Sequence, residues 1–415
     1  MTARLARALR VRAGEGPVVL PLLALMLVAW AGFAIGANGV ESIFFTRFGP
    51  QFLPWMYIAL ALVTVPATLG VGAVLGRGDR RRVVAAFAPA MAVAVFALRG
   101  LAVASSAWVY PTLWLGMMVL WIVQGIAVWS VAGVVHDARQ AKRLFPLYGA
   151  GVILGGALGG LATPPLAATI GAENLLLVWG ASLVAAWPLC RVVLAAPARH
   201  RHPALRGHRP RPPRVLEEMR EGFRTARSSP LLRRMSLAAV LVGFLYFTLT
   251  LPFAEAVTAR YPDTDRLASF LGLFSGTANA LALVVSLAAA NRLFARFGVP
   301  AMVIVMPVVY LLGFGVVAVS ASFATLIAFR LVQLVWVHGV YTTGWQALFG
   351  IVPPERRAQA RTFVEGGPMQ LGILISGAVL LLAQRLIADR TLFVVAAAVA
   401  AAAVLVCWWL RRAYG

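Results

Sequence analysis

The chain has 415 residues, of which 61% are hydrophobic and 12% charged, and its mean hydropathy is +0.85. Soluble domains carry about 25% charged residues, so this composition excludes an arrangement of two or three soluble domains. The single lysine, Lys142, lies in the run QAKRLF rather than in a glycine-rich loop. This excludes a phosphate-binding loop of the GxxxxGK type, and we expect a membrane protein that does not itself hydrolyse ATP.

Apolar runs that are long enough to cross a hydrocarbon core, about 20 residues, recur from Val18 almost to the C-terminus. Each gap between them contains arginine, a turn residue or both. The first six runs fall at 18–38, 52–76, 83–104, 108–135, 146–168 and 173–194, and the second six at 235–258, 267–290, 299–320, 323–350, 362–384 and 391–410. The sequence therefore predicts an all-α polytopic membrane protein with twelve transmembrane helices.

The distribution of basic residues predicts the orientation of these spans. With the N-terminus in the cytoplasm, the cytoplasmic segments contain 29 of the 37 basic residues, the outer segments contain 5, and the remaining 3 lie within spans. Cytoplasmic loops are the ones enriched in lysine and arginine. We therefore expect a multi-pass protein of the bacterial inner membrane with both termini in the cytoplasm.

The two sets of spans are separated by a basic, proline-rich linker at 196–234. Its segment VLEEMREGFRTAR can form an amphipathic helix with Val215, Met219 and Phe223 on one stripe. The formal net charge of +23 is explained by topology and by attraction to anionic membrane lipid, so we expect no nucleic-acid partner. Three of the five histidines lie in the linker without cysteines beside them, and we expect no metal site.

The two halves contain a repeated segment. At an offset of 218 residues, the run beginning at Asp137 aligns with the run beginning at Glu355, and Arg139, Arg143, Phe145, Gly149 and Gly159 fall on Arg357, Arg361, Phe363, Gly367 and Gly377. A repeat of the same orientation predicts two six-helix bundles, 13–195 and 235–412, related by an axis along the membrane normal. This is the arrangement of major facilitator transporters.

Small residues form stripes on two of the spans. Span 5 contains Gly151, Gly155 and Gly159 at four-residue spacing, and span 8 contains Gly272 and Gly276. Such stripes allow helix backbones to approach closely. We expect these two spans to face each other, either as surfaces that slide or as static packing.

The run AKRLFPLYGAG, Ala141 to Gly151, resembles the AKRF-PLFG-G signature of the ATP/ADP translocase (nucleotide transporter) family, a distant branch of the major facilitator superfamily. The resemblance implies a twelve-helix carrier fold. Members of that family have lysines within their spans that contact phosphates, whereas spans 1 and 4 here contain no lysine. The resemblance therefore indicates ancestry and fold more than nucleotide exchange.

Polar and charged residues within spans carry a free-energy cost in the membrane, so their presence indicates a function or a pairing partner. In span 10, Arg330, Gln333 and Tyr341 share one helical face, with His338 beside them. The other polar residues in the spans that line a major facilitator cavity are Asn38, Gln124 and Tyr246. Guanidinium binds carboxylate or phosphate through two hydrogen bonds, so we predict a cavity for an anionic or nucleotide-like solute, with Glu255 or Glu41 as the partner of Arg330 when the cavity is empty.

Charged residues near the two ends of the spans predict gates. Glu41, Arg99 and Glu255 are expected at one depth near the outer surface, where opposite charges can pair to form an outer gate, although snorkelling side chains would also explain them. The repeated cytoplasmic loops predict an inner gate, whose candidate residues are Asp137, Arg139, Lys142, Arg143, Glu355, Arg357, Arg361 and Glu365.

No Ser/His/Asp, Cys/His, HExxH or paired-carboxylate constellation is present, so we expect neither enzymatic activity nor a cofactor. These observations favour a secondary carrier that moves a small solute by alternating access. The alternative is a membrane module that does not transport and that anchors or senses for a cytoplasmic protein partner through its arginine-rich linker and loops.

Overall fold

The computed structural model describes residues 12, 15–75, 80–104, 106–195, 220–221, 223–224, 227, 229–386 and 389–414. Within these residues, twelve helices are long and apolar enough to cross a membrane, which confirms the predicted all-α fold. Numbered by span, they are α1 Gly16–Ile43, α2 Leu53–Leu75, α3 Arg80–Leu101, α4 Val109–Val135, α5 Ala138–Ile170, α6 Leu175–Ala195, α7 Pro230–Arg260, α8 Thr264–Val285, α9 Val299–Val319, α10 Phe323–Trp336, α11 Pro354–Gly366 with Pro368–Leu386, and α12 Asp389–Tyr414.

Three of the spans contain π-helical turns. One extends α1 at Phe44–Phe48, one follows α8 at Ser286–Ala290, and one follows α10 at Val337–Tyr341. After the last two, the chain returns to α-helix at Asn291–Phe297 and Thr342–Leu348. A π turn contains one residue more than an α turn would, so it rotates the faces of the helix that follows it.

The start of α5 lies farther from its apolar run than the sequence predicted. The apolar run of span 5 starts at residue 146, yet α5 starts at Ala138, because the Asp137 carboxylate accepts hydrogen bonds from the backbone N–H groups of Arg139 and Gln140. Gln140 returns a bond to the Asp137 N–H and completes a capping box. Hydropathy detects the lipid-facing part of a helix but not a polar extension of this kind.

The described residues form two compact units. One comprises those of Met1–Phe44, Ala67–Pro213 and Asp263–Ala280, and the other those of Phe45–Pro66, Arg214–Pro262 and Leu281–Gly415. In the first unit α1 packs against α5 and α6, and in the second α7 packs against α11 and α12. The start of α2 thus clusters with the second sequence half, and the start of α8 clusters with the first. The predicted division into consecutive bundles, 13–195 and 235–412, stays a prediction.

Candidate functional site

A buried arginine, Arg330, lies two turns inside α10 and is only 7% exposed. Its Nη1 donates a hydrogen bond to Gln333 Oε1 at 3.1 Å, and Gln333 Nε2 donates to Tyr310 Oη of α9 at 3.2 Å. Gln333 and Tyr310 are fully buried. The amide therefore links the charged group to α9.

Two aromatic rings of α7 cover the guanidinium. Arg330 Cζ lies 4.7 Å from the ring centroid of Tyr246 and 5.7 Å from that of Phe253. Ring faces stabilise a desolvated cation by about 2 kcal/mol. Sequence reasoning identified Tyr246 but missed Phe253 and Tyr310, since apolar runs contain many aromatic residues and the pattern does not show which of them face the arginine.

The pairing of Arg330 with Glu255 or Glu41 stays a prediction. Glu255 is exposed on α7. The charge of Arg330 is offset by ring faces and an amide oxygen, and such a guanidinium can bind a carboxylate or phosphate through its other N–H groups.

The predicted stripe along span 10 assumed an unbroken α-helix. The π turn at Val337–Tyr341 interrupts it and contains both His338 and Tyr341. The ring of Tyr341 stacks on that of Trp345 at 5.9 Å between centroids. The structure therefore joins Arg330 to Gln333 and Tyr246, while Tyr341 contacts Trp345, which follows the π turn.

In the other unit, Asn38 forms part of a buried polar cluster. Asn38 Nδ2 donates to Thr163 Oγ1 of α5 at 3.1 Å, and Ser275 Oγ of α8 donates to Asn38 Oδ1 at 3.3 Å. Thr163 Oγ1 donates to the Gly159 carbonyl of its own helix at 2.9 Å. The cluster thus ties α1 to α5 and α8, and sequence reasoning missed Thr163 and Ser275 because both residue types are common in spans.

Gln124 links three helices of the same unit. Its Nε2 donates to the Ala29 carbonyl of α1 at 2.9 Å, and its Oε1 accepts from Trp179 Nε1 of α6 at 3.0 Å. Gln124 and Trp179 are fully buried. Both functional groups of this amide are therefore engaged in helix packing, although its role in a solute cavity stays a prediction.

Among the proposed outer-gate residues, Arg99 contacts the turn between α5 and α6. Its Nε and Nη2 donate to Asn174 Oδ1 at 3.1 and 2.8 Å, and Nη2 lies 4.0 Å from Glu173 Oε2. Asn174 Nδ2 donates to the Ile170 carbonyl at the end of α5. Arg99 thus holds this turn in place, while Glu41 lies near the end of α1.

A further acidic residue approaches the same turn from α8. Asp265 Oδ1 accepts a hydrogen bond from the Ala172 backbone N–H at 2.7 Å. Sequence reasoning missed Asp265 because it lies in the first turn of its helix, where acidic residues are ordinary. The turn is therefore held by α3 through Arg99 and by α8 through Asp265.

The crossing of α5 and α8 brings Gly160 against Gly272 and Gly276. The predicted stripe of Gly151, Gly155 and Gly159 instead faces α1, where added Cβ atoms would meet Leu23, Leu27 and Ala31. A Cβ atom added at Gly160 would lie 2.8 Å from the Gly272 carbonyl, and one added at Gly276 would lie 2.6 Å from the Leu161 backbone N. Backbone atoms cannot yield to such contacts. Glycine is therefore required at this crossing.

Several candidates for the inner gate lie at the start of α5. Asp137 caps the helix, Arg139 is exposed, and Arg143 forms an ion pair with Glu15 at the start of α1. Partial burial would raise the pKa of the Glu15 carboxyl, but hydrogen bonds from Arg143 and the Arg12 backbone N–H, and the charges of both arginines, lower it overall.

A histidine that sequence reasoning missed lies beside this ion pair. His136 Nε2 and Tyr148 Oη share a hydrogen bond of 2.6 Å, and the two rings stack. Burial lowers the pKa of His136 more than its contact with Gln140 and the nearby carboxylates of Glu15 and Asp137 raise it. The neutral imidazole is therefore favoured.

In the second half, Arg361 Nε donates to Glu365 Oε2 at 3.1 Å, and Glu365 Oε1 accepts from Gln346 Nε2 at 2.7 Å. Arg357 Nη2 donates to the carbonyls of Gly350 and Val352 after α10. The side chains of Lys142 and Glu355 lie outside the described residues. In the described part of the chain, no group of three or more histidine, cysteine or acidic side chains could hold a metal ion.

Solved structures with this helical arrangement are transporters. The chain is similar to a mutant of the nucleoside transporter NupG, with a TM-score of 0.67 and 13% identity over 95% of this chain and 99% of that one. It is also similar to a bacterial homologue of the iron transporter ferroportin in its inward-facing state, with a TM-score of 0.65 and 15% identity over 95% of this chain and 98% of that one. For a D-xylose–proton symporter, the TM-score is 0.65 and the identity 13%, over 94% of this chain and 97% of that one.

The fold is therefore that of major facilitator-type transporters. No protein-family profile matches the sequence, and no curated protein matches it. At identities of 13 to 15% these neighbours establish the fold alone. The specific resemblance to ATP/ADP translocases stays a prediction.

Proposed function

We propose that this protein is a secondary transporter that moves a small anionic solute across the bacterial inner membrane by alternating access. The observation on which the proposal depends is the setting of Arg330. A charge inside a membrane span costs about 2.5–3.5 kcal/mol on insertion scales. Here an amide oxygen and two rings offset part of the cost of burying the Arg330 charge. A bound carboxylate or phosphate would offset the rest.

The rings around Arg330 favour a small anion over a nucleotide. Tyr246 and Phe253 both lie against the guanidinium, so those faces are occupied and do not offer a platform for a base. The structural neighbours include transporters of nucleosides, of iron and of D-xylose. The fold therefore does not select the solute, and the arginine is the feature from which its charge is inferred.

The contacts near the outer ends of the helices support alternating access. Glycine backbones at the crossing of α5 and α8, and the hydrogen bond between Asp265 and Ala172, join helices of the two sequence halves. In α2 and α11, a Cβ added at Gly377 would lie 2.7 Å from the Pro54 carbonyl. Such contacts contain few interlocking side chains, so they can separate and re-form.

At the other ends, we assign the inner gate to the ion pair between Glu15 and Arg143, which joins the start of α1 to α5, whereas Arg361 and Glu365 pair within α11. Arg143 and Arg361 occupy equivalent positions of the repeat. Each pair is local to one unit, so each can break without unfolding a bundle. We assign the outer gate to the α5–α8 contacts, which join the two sequence halves, rather than to Arg99, whose contacts hold the turn between α5 and α6 within one half.

The test is uptake by purified protein in vesicles, screened with labelled carboxylates, inorganic phosphate, nucleotides and uncharged sugars. Accumulation of a small anion, competed by other small anions and not by sugars, is expected. Exchange of nucleotides would instead support the translocase resemblance. Absence of uptake and exchange for every solute would contradict transport and favour the anchoring or sensing module.

A further inference from the structure

The linker docks on the cytoplasmic part of α11. The described linker residues 220, 221, 223, 224 and 227 are helical. Glu221 Oε2 accepts a hydrogen bond from Gln359 Nε2 at 2.7 Å, and the ring of Phe223 packs edge-on against that of Phe363 at 5.9 Å between centroids. Two different contacts, one polar and one aromatic, therefore hold this segment against the helix.

The repeat shows that this docking replaces a contact of the first half. Phe145, the repeat counterpart of Phe363, packs against Trp129 of α4 at 5.5 Å between centroids. At the offset of 218 residues, the position of Trp129 is occupied by Ala347. The second half thus lacks the large ring that covers this phenylalanine in the first, and Phe223 of the linker supplies one.

Three arginines project from the docked segment. At about 100° per residue, Arg220, Arg224 and Arg227 lie within a sector of about 60°, and the two docking residues, Glu221 and Phe223, flank this sector on opposite sides. All three arginines are exposed. They form a surface, the linker arginine face, that is open to solvent.

The depth of this face is set by its docking partner. Gln359 lies three residues before the apolar run of span 11 at 362–384, so we expect the linker helix near the cytoplasmic end of that span. Phe223 is 54% exposed beside the arginines. Exposed aromatic and basic side chains together at the edge of a bilayer are typical of an interfacial helix.

We infer that the linker arginine face binds the headgroups of anionic phospholipids at the cytoplasmic surface of the membrane. The guanidinium groups pair with lipid phosphates, and the exposed edge of Phe223 enters the interface. The predicted cytoplasmic orientation places this face at the leaflet where anionic lipids act on basic segments. The inference does not depend on whether the protein transports a solute.

The experiment compares backbone hydrogen exchange of residues 215–230 in the full-length protein, held in nanodiscs of phosphatidylcholine alone or mixed with phosphatidylglycerol. Exchange is expected to be about tenfold slower with the anionic lipid, because each arginine near the surface contributes to binding. High salt should remove the difference, since the arginines are exposed to solvent.

The variant that tests the face is Arg220→Gln/Arg224→Gln/Arg227→Gln, which should exchange equally in both lipids. A matched control, Arg292→Gln/Arg296→Gln/Arg411→Gln, removes three exposed arginines elsewhere and should keep the tenfold difference. Exchange of the membrane-spanning helices reports that each variant is folded. Equal exchange of the wild-type linker in both lipids would overturn the inference and favour an acidic protein as the partner of this face. A lipid effect that persists in the linker variant would also overturn it.

Discussion

The guanidinium of Arg330 lies over the ring of Tyr246, with Cζ 4.7 Å from the ring centroid. The two residues belong to α10 and α7, which approach each other in the second unit. A ring face offsets part of the cost of burying the charge but does not neutralise it, unlike a carboxylate. This pair therefore holds an arginine in place while leaving its charge available to a solute.

The first prediction concerns the geometry of this arginine. Arg330→Lys keeps the charge but loses the planar group that binds an anion through two hydrogen bonds, so KM for the solute should rise about 10- to 100-fold. Arg330→Leu should abolish uptake. Arg191→Leu is the control, because Arg191 is an exposed arginine near the end of α6 that packs on Trp187.

Uptake is measured in vesicles at equal amounts of folded protein for each variant. Unchanged affinity in Arg330→Leu would show that the charge does not bind the solute, and the inferred solute class would then be withdrawn.

The second prediction tests the buried amide of α4. Trp179→Phe removes the N–H that Gln124 Oε1 accepts and part of a fully buried ring, so the free energy of unfolding should fall by about 2 kcal/mol or more. Trp187→Phe lies on the same helix and is 39% exposed, so it should have little effect. Thermal unfolding in detergent compares the two, and equal destabilisation would argue against the hydrogen bond.

The twelve helices could be predicted from the sequence because the bilayer imposes a length and an apolar composition on each span. The repeated segment begins at Asp137 and Glu355, beside the starts of α5 at Ala138 and of α11 at Pro354. Gln333 was predicted beside Arg330 because three residues along a helix fix their spacing. These features depend on local sequence alone.

The charge partners could not be predicted in the same way. Arg143 pairs with Glu15, 128 residues away, and Arg99 binds Asn174, 75 residues away. Hydropathy and depth select groups that lie at one level of the membrane but not those that share a helix interface. The π turn after α10 was also missed, because a single extra residue in a turn leaves no mark on an apolar run.

The third prediction concerns pH. Because the pKa of Glu15 lies below its ordinary value of 4.5, its ion pair with Arg143 stabilises the folded state above pH 4.5 and loses this contribution as the pH falls through the lowered pKa. Glu15→Gln should therefore be less stable than the wild type at pH 7, by about 1 kcal/mol or less. The difference should vanish at a pH below the lowered pKa.

Thermal unfolding across pH 3–7 measures this effect, and Arg143→Gln should reproduce it. A difference between wild type and Glu15→Gln that is constant over the whole range would contradict the assignment of the titrating group.

The fourth prediction concerns orientation. Cysteines placed at Arg206 and Ala358 should be shielded in intact cells from an impermeant thiol reagent, and one placed at Thr264 should be labelled, since 29 of the 37 basic residues lie on the predicted cytoplasmic side. Both native cysteines are buried, which keeps background labelling low. Labelling of Arg206→Cys from outside would reverse the topology and exchange the two gates.

The last prediction concerns the crossing of α5 and α8. A side chain at Gly160 would meet the backbone of Gly272 and Gly276, so Gly160→Leu should force the two helices apart. Gly149→Leu, on the same helix, is the control, because a Cβ at Gly149 meets no atom within 4 Å. If these contacts close the outer side, Gly160→Leu should stop uptake and increase the rate at which Ser275→Cys reacts with an impermeant thiol reagent.

Unchanged labelling of Ser275→Cys in a folded Gly160→Leu protein would show that the crossing is static packing. Faster labelling in the Gly149→Leu control would show instead that any added bulk on α5 opens the outer side. A rise that is confined to Gly160→Leu connects the glycine contact itself to closure, because the two variants add the same side chain to the same helix and differ in whether a backbone lies opposite.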